Sequence, residues 1–257
     1  MAERLRRFHD RNVPPATPRR AATVVLLRPA GTTFQVYVIR RAVSMVFGGV
    51  YAFPGGGVDP ADAVDGLAGW DTRLGLPPAE AGAVVRAAAR EVFEEAGVLL
   101  AGPRPGTVVG DVSGPGWEAD RRSLAAHDLA FSDLLTRRGL RLRDDLLTGW
   151  ARWITPEFEP RRFDTYFFLA VLPEGQRTRD VSGEADRTAW LSPADAVAGH
   201  AAGDLPMLPP TVVTLRELSA YRSIAGATAA AAERDVARPV LPKVEPTPDG
   251  GARMVLS

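Results

Sequence analysis

Arg90-Glu91-Val92-Phe93-Glu94-Glu95-Ala96-Gly97-Val98 places three glutamates within five positions, beside an arginine and ahead of a glycine. On a helix, residues three and four apart share a face, so Glu91 lies next to both Glu94 and Glu95. Val85, Ala88, Ala89, Val92 and Ala96 recur at the same period on the other side, which predicts an amphipathic helix over about 79–96. Gly97 suits the left-handed residue that closes such a helix. Carboxylates this close repel one another, and a hard divalent cation with oxygen ligands, Mg2+ or Mn2+, would balance them. A solvated acidic helix face is the alternative reading of this stretch taken alone.

Upstream, Val50-Tyr51-Ala52-Phe53 reads as a strand running into Pro54-Gly55-Gly56-Gly57, a cluster that lets the backbone turn and approach a ligand closely. Two β-branched runs, Ala22 to Leu27 and Phe34 to Ile39, flank Gly31 and predict a hairpin. Residues 59–78 are polar and rich in glycine and proline, which predicts a loop insertion with one helical turn. A strand is expected at 107–112 and a helical segment at 118–138. Strands follow at 147–154, 162–172 and 188–191. Ser192-Pro193 starts a helix to about Ala202, with Ser192 as N-cap and Pro193 at the first helical position. Residues 209–236 read as helix with a break at Gly226. Strands and helices without regular βαβ alternation predict an α/β sandwich around a mixed sheet. The chain divides into an arm over 1–21, flexible or with a short helix, one domain over 22–236, and a tail over 237–257.

Composition narrows the chemistry. The 257 residues carry a formal net charge of zero, which gives no argument for nucleic-acid or membrane-surface partners. There is no cysteine, so thiol nucleophiles, disulfides and cysteine-bound metals are excluded, and a reducing, cytoplasmic setting is expected. The N-terminus lacks the apolar core of a secretory signal, and no apolar run approaches the roughly 20 residues of a membrane span. Lys243 is the one lysine among 31 basic residues, so the abundance of arginine reflects composition and not recognition. His9, His127 and His200 are scattered without metal-ligand spacing. No G-x-S-x-G elbow or P-loop occurs.

Phe53-Pro54-Gly55-Gly56, taken with Arg90 to Val98, resembles the Nudix hydrolases, whose box reads G-x5-E-x7-R-E-U-x-E-E-x-G-U with U a bulky aliphatic. The second half matches at every defined position. In the first half, Gly56 as the opening glycine puts Asp62 at the glutamate position, and 27 residues instead of seven precede Arg90. A box split by about twenty residues, with Trp153-Ile154-Thr155-Pro156 and Arg161-Arg162-Phe163-Asp164-Thr165 downstream, is similar to the coenzyme A diphosphatases related to mammalian Nudix 19. That subgroup's upstream signature is matched by Arg40 and Gly49, while Arg41 stands at a small-residue position and Met45 replaces a second arginine.

The resemblance implies a Nudix-type α/β/α sandwich with a mixed sheet, an inserted helical segment and C-terminal helices. It implies a metal-dependent hydrolase of a pyrophosphate bond in a small nucleotide derivative, foremost coenzyme A or acyl-coenzyme A, giving 3′,5′-ADP and 4′-phosphopantetheine. ADP-ribose, a dinucleotide or a nucleoside triphosphate is the alternative substrate, and a regulatory module without turnover the third reading. Glu91, Glu94, Glu95 and the Gly56 carbonyl would hold Mg2+ or Mn2+. Glu91 is the first candidate for general base, with Glu94 beside it and Arg90 orienting the glutamates. Glu184, on a loop six residues before Trp190, is a further candidate base or ligand. Arg40, Arg161, Arg162 and Phe163 are candidate substrate contacts, with a surface arginine pair and a core aromatic as the alternatives. The resemblance leaves a homodimer open.

Overall fold

Successive residues of a strand point to opposite faces of its sheet, and β1 (Arg19–Ala30) shows what that alternation does here. Ala22, Val24 and Leu26 enter one hydrophobic core, while Val25 and Leu27 enter a second on the other side of the sheet. β8 (Phe163–Val171) divides the same way, with Tyr166, Phe168 and Ala170 facing the first core and Phe167 and Leu169 the second. A sheet apolar on both faces must be covered on both, and helices do this. The computed structural model describes residues 14–42, 48–63, 67–179, 185–246 and 252–255.

β1 turns at Gly31 (φ 58°) into β2 (Thr33–Arg41), the hairpin expected at that glycine. β3 (Tyr51–Ala52) and β9 (Ala185–Leu191) pair with β2, and β4 (Gly55–Gly57) pairs with β1. On its other edge β1 runs parallel to β8 from Arg19↔Phe163 to Leu27↔Val171, and β7 (Thr148–Ile154) completes the order β3-β2-β1-β8-β7. One parallel pairing among antiparallel ones makes the sheet mixed, and β5 (Ala101–Gly102) pairs with β6 (Arg141–Leu142) outside it. The first face is covered by α1 (Trp70–Leu74), α2 (Pro78–Ala96), α3 (Pro115–Ala125) and α4 (Phe131–Arg137). The second carries α5 (Pro193–Ala202), α6 (Pro209–Leu218) and α7 (Ile224–Ala232). The α/β/α sandwich is therefore observed. Ser192 caps α5 by accepting from the Asp195 N–H, with Pro193 at its start, as the sequence indicates. No helix among the described residues is long and apolar enough to cross a membrane.

The glycine cluster forms β4, whose backbone lies between β1 and α2. Three local expectations need correction. Residues 107–112 form no strand. Val109 is held there by its N–H to the Ala101 carbonyl and by Gln176, whose Nε2 donates to the Val109 carbonyl at 2.7 Å. The helical segment at 118–138 is two helices, broken where His127 takes a left-handed backbone (φ 57°). The C-terminal helical run breaks at 219–223 and not at Gly226. Ser223 is the N-cap of α7 and accepts from the Gly226 N–H, so Gly226 sits inside the first turn. In the tail, β10 (Lys243–Pro246) and β11 (Ala252–Val255) pair with each other.

Candidate active site

α2 is amphipathic in sequence yet buried almost all round. Val84, Val85, Ala88 and Val92 are fully buried, and Arg90, Glu91, Glu94 and Glu95 expose only 4–8% of their surface. The carboxylate side is covered because β4 lies directly against it. The Gly55 N–H donates to Glu95 Oε2 at 2.7 Å. A Cβ on Gly56 would come within 2.4 Å of Glu91 Oε1, and one on Gly55 within 2.4 Å of the Ala22 carbonyl oxygen. Glycine is thus required here for close approach. The two alanine variants should part company. Gly55→Ala meets backbone and lowers unfolding free energy by about 1–3 kcal/mol in denaturant titration. Gly56→Ala meets only the far end of Glu91, so it should keep its melting temperature and lose about tenfold in turnover as the carboxylate shifts.

Arg90 is the hub. Its Nε and Nη2 donate to Asp62 Oδ2 at 3.4 and 3.0 Å, and Nε also to Oδ1 at 3.1 Å. Nη2 reaches the Gly57 carbonyl at 2.8 Å, and Nη1 meets Glu91 at 2.9 Å and Glu94 at 3.3 Å. Burial works against charge on Arg90, but the hydrogen bonds it donates to Asp62 and the charges of Glu91, Asp62 and Glu94 hold its pKa above the ordinary arginine value. Asp62 is 2% exposed and belongs to a capping box, its side chain accepting from the Asp59 N–H at 2.9 Å. The 27 intervening residues loop out and return, so the split box closes in space. Asp62 takes the place of the box's first glutamate.

Burial raises the pKa of Glu94, and the Arg90 charge offsets part of that rise. The sign follows. Below the ordinary value of 4.5 Glu94 is protonated folded or unfolded. As pH rises through the window up to the raised folded value, the unfolded chain releases the proton first, so this group's contribution to stability falls. Melting temperatures of the metal-free protein and Glu94→Gln should therefore diverge with rising pH, the parent losing ground as pH climbs from the ordinary value of 4.5 to the raised folded value. A constant difference would show that Glu94 ionises as an ordinary glutamate.

The glutamates, β4 and the Asp59 turn line a cavity of about 380 Å3, closed by Arg41, Ala125 and His127. The α3–α4 hairpin reaches the cavity because Arg121 Nη1 donates to the Glu94 carbonyl at 2.9 Å and Trp117 packs edge-on against Phe93. His127 Nδ1 lies 3.2 Å from Asp59 Oδ2. Neither Arg41 nor His127 was singled out from the sequence as a site residue. Alternation along β2 would have found Arg41, which shares the face of Tyr37 and Ile39, whereas nothing local marks His127.

The other sequence candidates lie apart. Arg40 does not line the cavity, and its Nε donates to the Gly49 carbonyl at 3.4 Å. Arg161, Arg162 and Phe163 line a separate cavity with Ala16, Thr17, Arg19 and Pro160. Arg162 is buried there and donates to the carbonyls of Thr155 and Ala16 at 3.0 and 2.9 Å. Glu184 and Met45 fall outside the described residues. Among the described residues no three acidic or histidine side chains gather as a ready-made metal cluster, and Arg90 pairs with both Glu91 and Glu94. The donor set still suits a hard cation: carboxylate oxygens beside a glycine strand where a Cβ at Gly55 or Gly56 would intrude.

A profile described as the NUDT19 Nudix domain matches residues 73–218, and one described as the NUDIX domain matches 17–119. The chain belongs to the NUDT19 Nudix domain family. This Nudix domain is 31% identical to the crystal structure of a NUDIX hydrolase from Alicyclobacillus acidocaldarius, with a TM-score of 0.69 over 83% of this chain and 96% of that one. The putative nudix hydrolase 7 of Caenorhabditis elegans is 29% identical over 207 residues, 78% of this chain and 60% of that protein. The acyl-coenzyme A diphosphatase NUDT19 of Homo sapiens is 34% identical over 149 residues, 53% of this chain and 39% of the human protein. The Nudix domain therefore spans less than two thirds of these curated relatives' length.

Proposed function

We propose that this chain is a divalent-metal-dependent Nudix pyrophosphohydrolase that cleaves the diphosphate of coenzyme A or an acyl-coenzyme A to 3′,5′-ADP and a 4′-phosphopantetheine. The observation that carries the hydrolase reading is the burial of Glu91, Glu94 and Glu95 against a side-chain-free strand, with Arg90 locked to Asp62. Glu91, Glu94 and Asp62 share Arg90 while Glu95 accepts from the Gly55 N–H, an arrangement with acceptor oxygens to spare for a cation. The names of the human and chicken relatives support the coenzyme A reading, at 34% and 29% identity over parts of the chain.

In this reading Glu91, Glu94, Glu95 and the Gly56 carbonyl would hold Mg2+ or Mn2+, which would supply neutralising charge at the diphosphate and acidify water there. Glu91 would serve as general base, with Glu184 as the second candidate. Arg90 spends its five N–H groups on Asp62, Gly57, Glu91 and Glu94, so it orients the carboxylates and leaves substrate contact to others. The setting is the cytoplasm, in keeping with a cysteine-free chain, and the chemistry requires no dimer. A panel of coenzyme A, ADP-ribose, NADH and nucleoside triphosphates with Mg2+ tests the substrate. Coenzyme A should be cleaved fastest, and an inert coenzyme A beside a cleaved ADP-ribose would reassign it.

A further inference from the structure

We infer that Arg41 binds a phosphate oxygen of the substrate's diphosphate. The inference rests on the pyrophosphate chemistry proposed for this same cavity and assigns its anion contact. Two cationic side chains, Arg90 and Arg41, line a cavity that also holds Glu91, Glu94 and Glu95. Arg90 has no donor left for a ligand. Arg41 does: its Nε is buried and meets no hydrogen-bond partner among the described residues. A buried guanidinium N–H without an acceptor is costly and rare, and this one belongs to a residue lining the cavity, where a phosphate oxygen would satisfy it.

The backbone explains why it is Arg41 and not its neighbour. Tyr37 and Ile39 face the first core, so alternation carries Arg41 to the same face, and Arg40 to the other. The β2–β9 register slips between Arg40 and Arg41. Beyond the slip, the Arg41 N–H donates to the Val50 carbonyl at 3.0 Å and its carbonyl accepts from the Gly49 N–H at 2.8 Å. The residue is thus pinned on both sides, with its side chain turned to the glutamates. A guanidinium held this way presents fork geometry to a phosphate, which lysine or glutamine cannot reproduce.

The test is calorimetric binding of inorganic pyrophosphate in the presence of Mn2+, and of Mn2+ alone, to the full chain and to Arg41→Gln and Arg41→Lys. Arg41→Gln should bind pyrophosphate about tenfold or more weakly, with Mn2+ affinity changed less than about twofold, and Arg41→Lys should recover part of the loss. Should Arg41→Gln not fold, Arg41→Lys still decides, since it should bind measurably more weakly than the parent. Equal pyrophosphate affinities, a parallel loss of Mn2+ binding, or a parent that binds no pyrophosphate would each overturn the inference. A parent that turns over none of the panel substrates while the Arg41 difference persists would sink the proposed function and spare this contact. Coenzyme A cleavage with unchanged Arg41→Gln affinity would do the reverse.

Discussion

Glu94→Gln should lower the turnover of a diphosphate substrate by about 10³-fold while the protein stays folded. Glutamine keeps the shape and one acceptor oxygen but removes the charge. In the metal-free fold that loss does not destabilise, because burial already raises the Glu94 pKa and its link to Arg90 Nη1 at 3.3 Å is long. In turnover it removes a carboxylate from the proposed cation set. Steady-state rates with saturating Mg2+, set beside melting temperatures, separate the two effects. Unchanged turnover would mean that the buried acidic cluster only organises Arg90.

Asp62→Asn should act the other way round, on the fold before the chemistry. Asp62 and Arg90 are 2% and 5% exposed, and breaking a buried pair by removing one charge costs about 3–5 kcal/mol. Arg90 would be left among Glu91 and Glu94 without its strongest partner, and the turn at Asp59 would lose its capping box. Denaturant unfolding should show the loss directly. Asp62→Glu, which restores the residue found in the Nudix box, should keep both stability and turnover within a few-fold. A stable Asp62→Asn would show that Arg90 is held by Gly57 and the glutamates alone.

The contrast between these residues shows what could be read in the chain. α2, its Gly97 stop and the three glutamates were legible because helical period and a left-handed C-cap are local rules, and Gly97 indeed has φ 66°. The two-faced sheet was legible from β-branched runs in β1 and β2. Asp62 was visible only as a box position whose spacing failed, since spacing along the chain says nothing about a loop that leaves and returns. The break at His127 was hidden because no glycine marks it; a histidine takes the left-handed backbone there. Arg40 was chosen over Arg41 because a sequence signature favoured it, whereas strand alternation, anchored by Tyr37 and Ile39, turns Arg41 to the cavity. Arg161, Arg162 and Phe163, read from the sequence as substrate contacts, line a cavity other than that of the glutamates. How far that cavity lies from the glutamates depends on the β1–β8 pairing, which is long-range and invisible locally.

The most direct test of the central claim is product analysis of coenzyme A incubated with the purified chain, with Mg2+ or Mn2+ and with excess chelator. The account predicts release of 3′,5′-ADP and 4′-phosphopantetheine only when the metal is present. Cleavage that persists in chelator, or no cleavage of any diphosphate substrate with metal supplied, would contradict it.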